Sequence, residues 1–150
     1  YIVSDKNIDN SVNYDELAAE LIDKKIDLIV LAGFLKKIPD SFVDKFSDKI
    51  INIHPALLPS FGGKGMYGMN VHKAVFEKSV QVTGATIHFV NKVYDDGKII
   101  AQDAVNISDV QSPEEVAAKV LEVEHKLLPD VIKKFSENKI QIHNNRVFVS

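Results

Sequence analysis

The chain has 150 residues, 45% of them hydrophobic and 26% charged, with a formal net charge of −3 and no cysteine. Such a balance fits one soluble globular domain with a single core and offers no basic surface for nucleic acid or an anionic membrane. Disulfides, thiolate metal sites and cysteine nucleophiles are excluded, and no apolar run approaches the roughly 20 residues of a bilayer span.

In chain order, Tyr1-Ile2-Val3-Ser4 reads as the end of a strand, so the chain opens as a piece of a longer domain would. Leu17, Ala18, Leu21 and Ile22 at helical spacing predict a helix over Tyr14 to Lys25. Asn13, with Glu16 three residues on, suits a capping box at its start. Asp27 to Ala32 is an apolar run ending at Gly33, the pattern of a strand buried on both faces. Pro39 to Phe46 predicts a short helix with proline in its first turn. Lys49 to Ile53 predicts another buried strand, stopped at His54-Pro55. This alternation argues for an open α/β sheet whose ligand crevice lies beyond the carboxyl ends of its strands.

Pro55 to Met69 is rich in glycine and reads as loop, and Asn70 to Lys78 as helix. Val82 to Val90 and Lys98 to Val105 predict paired strands around the turn Asn91 to Gly97. Ser112 to Asn138 predicts a long amphipathic helix, with a capping box from Ser112 and Glu115 and with Pro113 at its first position. Pro129 is expected to kink or split it. A closing hairpin is expected over Ile140 to Val149, turning at Asn144-Asn145.

The candidate chemistry gathers at Ile51-Asn52-Ile53-His54-Pro55. Residues two apart in a strand face one side, so Asn52 and His54 project together into the crevice. A carboxamide and an imidazole converging on one point suit a developing oxyanion; the same pair equally suits an Asn and a His that satisfy turn backbone. Asp95-Asp96-Gly97 is ordinary turn chemistry, yet a carboxylate beside His54 would favour its imidazolium. Gly62-Gly63-Lys64-Gly65 lacks P-loop spacing and reads as a mobile loop. His72 and His88 read as packed or hydrogen-bonding histidines, and nothing in the placement of the five histidines suggests a metal site.

Three segments carry a resemblance: Leu31-Ala32-Gly33-Phe34, Ile51 to Pro59, and Asp95-Asp96-Gly97-Lys98-Ile99-Ile100-Ala101-Gln102. Together they resemble the formyltransferase family. The branch that formylates glycinamide ribonucleotide in purine synthesis is the nearest, and Gly65-Met66-Tyr67-Gly68 with Val71-His72 resembles it too. The resemblance runs from about Tyr1 to Ser150. It implies an open, mostly parallel Rossmann-like sheet with an antiparallel C-terminal portion and a long C-terminal helix. It further implies that residues 1–150 lack the N-terminal units that bind phosphate in the family.

The implied activity is transfer of a formyl group from 10-formyltetrahydrofolate, a co-substrate, to the amine of glycinamide ribonucleotide. Asn52, His54 and Asp95 take the family's catalytic places, Asp95 rather than Asp96 because it stands seven before Gln102. Asn52 and a protonated His54 would stabilise the oxyanion, and Asp95 would raise the pKa of His54 and help relay a proton. Folate would pack near Leu35, Lys36, Lys37 and Ile38, and against Asn52 and Asp95; His88 and Glu124 would meet the glycinamide substrate. No metal, nucleic acid or membrane is implied, the location is cytoplasmic, and a weak homodimer is allowed. Another folate-dependent formyltransferase, a deformylase, or a folate-binding module without transfer stand as alternatives.

Overall fold

The structure is a computed structural model, and it describes residues 2–3 and 11–150. Strands β1 (Ile2–Val3) and β2 (Ser11–Val12) pair in parallel; Tyr1 and Ser4, which also belong to the strand end expected from the sequence, lie outside the described residues. Helix α1 (Tyr14–Asp23) starts on the expected capping box. The Glu16 N–H donates to Asn13 Oδ1 at 2.8 Å, and the Asn13 N–H donates to Glu16 Oε2 at 3.1 Å.

Strands β3 (Ile29–Leu31), β4 (Ile50–His54), β5 (Val82–Phe89) and β6 (Ile99–Asn106) form a four-stranded sheet in that order. β3 and β4 run parallel, and β4–β5 and β5–β6 run antiparallel. The antiparallel portion expected towards the C-terminus thus supplies two of the sheet's three pairings. β3 is half-buried rather than buried on both faces, because among the described residues it is the sheet's edge. β4 is central, and four of its five residues are buried.

Helix α2 (Asp40–Lys45) begins one residue later than expected, with Pro39 as its N-cap. The Pro39 carbonyl accepts from the Phe42 and Val43 N–H groups at 3.0 and 3.1 Å. Helix α3 (Met69–Glu77) follows the glycine-rich loop. Helix α4 (Pro113–Ser136) is continuous through Pro129 and is not split there. Its N-terminus departs from a capping box. Ser112 Oγ accepts from the Glu115 N–H at 3.2 Å, but the Glu115 carboxylate turns to the Gln111 N–H at 2.8 Å instead of the Ser112 N–H. β7 (Ile140–His143) and β8 (Arg146–Val149) close as a hairpin, with Asn144 and Asn145 both at positive φ, as a two-residue turn between right-twisted strands requires.

The two faces of β4 do different things, as strand alternation dictates. Ile51 and Ile53 join Ala85, Ile87, Phe89, Val123 and Val131 in the core beneath α4. Ile50 joins Ala18, Phe42, Val43 and Phe46 under α1 and α2. Burying an aliphatic side chain of this size is worth about 1.5–3 kcal/mol, so β4 is held firmly on both sides. That rigidity positions its remaining pair, Asn52 and His54.

Candidate functional site

A cavity of about 780 Å³ opens where β3 and β4 end. Its walls are the loop after β3, the end of β4, the loop leading to α3, the loop after β5, and one side of α4. Every residue given a catalytic, folate or substrate role from the sequence borders it: Asn52, His54, Asp95, His88, Glu124, and the run Leu35 to Ile38. Within that run the parts differ. Ile38 is buried against Phe42 and its neighbours, Leu35 stands exposed, and Lys37 is paired with Asp40 at 3.0 Å.

The register explains the convergence. Asn52 of β4 lies opposite His88 of β5, and His54 lies opposite Thr86. Cross-strand partners share a face, so all four side chains point to one side. Asn52 Nδ2 lies 3.3 Å from His88 Nε2. His88 Nδ1 lies 2.8 Å from the Phe89 carbonyl oxygen. A carbonyl can only accept, so Nδ1 carries the proton and, in the neutral ring, Nε2 accepts from Asn52. One Asn52 N–H is thereby engaged and the other is left to donate.

Asp95 arrives on the loop between β5 and β6. It adopts positive φ (52°), and the chain then passes so close to β5 that a Cβ on Gly97 would lie 1.6 Å from the Phe89 carbonyl oxygen. Only glycine fits there, which is the local reason for the Asp-Gly sequence. The Asp95 carboxylate accepts from the Gly63 N–H at 2.9 Å. It faces two imidazoles, with Oδ2 3.6 Å from His54 Nδ1 and Oδ1 3.6 Å from His88 Nε2. Turn chemistry and site chemistry therefore coexist in this residue.

His54 also serves both readings given to it. Its Nε2 lies 2.8 Å from the Phe61 carbonyl oxygen, so Nε2–H donates to loop backbone, and Nδ1 is left facing Asp95. Burial pushes the His54 pKa below the ordinary 6.5, with His88 adding to the fall; the Asp95 carboxylate and the Phe61 carbonyl raise it, but by less. Asp95 pulls the His54 pKa up, as expected, but desolvation outweighs it, so the net shift is downward. Burial raises the Asp95 pKa, but the facing His88, the Gly63 N–H and His54 outweigh it and hold the carboxyl below its ordinary value. Burial raises the Glu124 pKa against the opposing pull of His125.

Three features add to what the sequence indicated. Gly63, read as part of a mobile loop, is tied to Asp95. His72 on α3 is buried and borders the cavity, and its Nδ1 has no hydrogen-bond partner among the described residues. Thr86 and Gln102 anchor the loop beyond His54 through hydrogen bonds at 2.7–3.0 Å. The Thr-x-His spacing of Thr86 and His88 was the available signal, since it repeats the same-face spacing of Asn52 and His54. Among the described residues no group of three or more His, Cys, Asp or Glu is arranged to hold a metal ion. No helix among them is long and apolar enough to cross a membrane.

Residues 2–132 match the family described as formyl transferase. The chain is 50% identical over 126 residues to the chloroplastic phosphoribosylglycinamide formyltransferase of Arabidopsis thaliana, covering 84% of this chain and 43% of that protein. The crystal structure of phosphoribosylglycinamide formyltransferase from Anaplasma phagocytophilum superposes with a TM-score of 0.86 at 32% identity, covering 100% of this chain and 70% of that one. A formyltetrahydrofolate deformylase from Pseudomonas syringae superposes with a TM-score of 0.80 at 28% identity, over 91% of this chain and 44% of that one. The chain thus spans less than half the length of the Arabidopsis relative. A relative named chloroplastic also means that this likeness does not by itself place the chain in the cytoplasm.

Proposed function

The chain belongs to the formyl transferase family, and from that premise we propose that its protein transfers the formyl group of 10-formyltetrahydrofolate to the amine of glycinamide ribonucleotide, a step of purine biosynthesis. The observation that carries this reading is the convergence of Asn52, His54, Asp95 and His88 on one cavity of about 780 Å³. This chain supplies the reacting centre and the folate side of the site. The ribose phosphate is assigned to parts of the whole protein beyond it, in keeping with the 43% coverage of the Arabidopsis relative.

The amine nitrogen attacks the formyl carbon, and the carbonyl electrons move to oxygen. Asn52 offers that oxyanion the N–H that His88 leaves unused. Burial depresses the His54 pKa and so favours its neutral ring beforehand. A negative charge forming beside it offsets that burial, so Nδ1 takes up the proton that the attacking amine gives up as the tetrahedral intermediate forms. Asp95, held as a carboxylate, stabilises the resulting imidazolium and helps pass the attacking amine's proton to the folate nitrogen as the carbon–nitrogen bond breaks. Leu35 to Ile38 line the folate side. Glu124 borders the glycinamide amine.

Removing one oxyanion donor typically costs about 10²–10³ in rate. Asn52→Ala in the full-length protein is therefore expected to lower kcat by that order, and His54→Ala, which removes the group that takes up and returns the proton, by about 10²–10⁴, both measured as formyl transfer to glycinamide ribonucleotide. Losses below about tenfold in both would sink the assignment. The deformylase likeness supports a second reading, hydrolysis of the formyl group by water. Formate release independent of added glycinamide ribonucleotide would favour it.

A further inference from the structure

The role of Gln102 is not explained by the chemistry above, although it closes the motif that begins at Asp95. It lies on the outer strand β6, opposite Thr86, which itself lies opposite His54. One row across the sheet therefore reads His54, Thr86, Gln102. Thr86 is fully buried. Its hydroxyl donates to the Ala56 carbonyl at 2.7 Å and accepts from the Leu58 N–H and from Gln102 Nε2, each at 3.0 Å. One donated and two accepted bonds exhaust a hydroxyl. The Gln102 amide gives its other hydrogen to the Leu58 carbonyl at 2.9 Å, so both its donors are used as well.

These bonds fasten the backbone of Ala56 and Leu58 to the sheet. The same loop continues to Phe61, whose carbonyl holds His54 Nε2, and to Gly63, whose N–H holds Asp95. The loop is packed closely at the Asp95 side, where a Cβ on Gly62 would lie 2.4 Å from Leu58 Cδ2 and 3.2 Å from Asp95 Cβ. The segment from Asp95 to Gln102 thus grips the loop at both ends. Between those grips β6 carries a register irregularity, His88 facing Ile99 while Ile87 faces Ala101.

We infer that Gln102 is a positioning residue: with Thr86 it clamps the Ala56–Leu58 backbone and so holds the Phe61 carbonyl that fixes the orientation and tautomer of His54. The inference rests on the formyl-transfer reading for its kinetic consequence and on geometry alone for its effect on the ring. Gln102→Leu removes both donors while keeping a side chain of similar bulk. A loosened loop misplaces the ring and admits water, which relieves the burial that lowers its pKa.

The test is steady-state kinetics of the full-length protein together with ring-nitrogen NMR of His54 across pH. Gln102→Leu is expected to lower kcat roughly 10- to 100-fold, the scale of a misplacement of about 1 Å, and to leave KM for formylfolate within about threefold. The His54 ring should lose its uniform Nε2–H form and titrate closer to an exposed histidine. Thr86→Val should reproduce both changes, and Thr86→Ser, which keeps the hydroxyl, should restore kcat to within about threefold of the starting protein. If Gln102→Leu does not fold, the two Thr86 variants decide alone. A variant that melts earlier but keeps both kcat and the His54 ring signals would overturn the inference. A starting protein that transfers no formyl group overturns the functional reading instead, and the ring signals still decide the role of Gln102.

Discussion

At the scale of single residues, two glycines show how a backbone approach can be separated from a site. A Cβ on Gly97 would lie 1.6 Å from the Phe89 carbonyl oxygen, and one on Gly84 would lie 1.9 Å from the Asp103 carbonyl oxygen. Both obstacles are backbone, so alanine must push β6 from β5 at Gly84 and the turn from β5 at Gly97. Overpacking of this kind costs about 1–3 kcal/mol. Gly97→Ala and Gly84→Ala are expected to lower Tm by similar amounts in thermal melts. Only Gly97→Ala should also weaken binding of a non-reactive folate analogue, because Asp95 stands two residues away in the same turn. Equal loss of binding in both variants would show that the Asp95 turn has no special hold on the cavity.

At the scale of elements, the two long-range helices differ in how they start. The α1 cap is reciprocal, with both Asn13 and Glu16 donating and accepting. The α4 cap runs one way, from the Glu115 N–H to Ser112, with the Glu115 carboxylate reaching back one residue further to Gln111. Replacing a capping side chain by alanine costs about 1 kcal/mol. Asn13→Ala and Ser112→Ala should each lose about that much in denaturant melts. Glu16→Ala should add to the loss at α1 by freeing the Asn13 N–H. Glu115→Ala should leave the Ser112 bond intact, since that bond uses the backbone of residue 115. Sequence spacing made the starts of both helices readable, yet it could not distinguish a closed box from an open one, because the choice between the N–H groups of Gln111 and Ser112 is made by the path of the preceding loop.

At the scale of the whole molecule, the buried histidines make stability depend on pH. The His54 and His72 pKa values are both lowered from 6.5, burial being the larger cause in each. The unfolded chain therefore binds more protons than the folded one near and below pH 6.5, and folding stability falls as the medium is acidified through that range. Asp95 has the same sign at lower pH, since its carboxyl is held below 3.8 and its contribution is lost as pH falls past that value. Glu124 has the opposite sign, because burial raises its pKa from 4.5 and the folded state takes up its proton earlier. Tm is expected to fall between about pH 7 and about pH 5, less steeply in His72→Gln and more steeply in Glu124→Gln. A flat Tm across that window in Glu124→Gln, where the opposing carboxyl is gone, would contradict the burial assigned to both imidazoles.

Local signals settled much of this protein before any tertiary information was needed. Period and caps placed the helices; continuous apolar runs placed β3 and β4; the two-residue alternation put Asn52 and His54 on one face. These features depend only on neighbours in the chain. What the chain alone could not determine was every relation between distant segments. Asp95 meets His54 because a tight glycine passage beneath Phe89 returns the loop over β4. His88 meets Asn52, and Gln102 reaches the loop behind His54, because antiparallel register sets them side by side. The direction of the His54 pKa shift also depends on packing. A carboxylate beside an imidazole argues for protonation, and only the packed surroundings show that desolvation outweighs it.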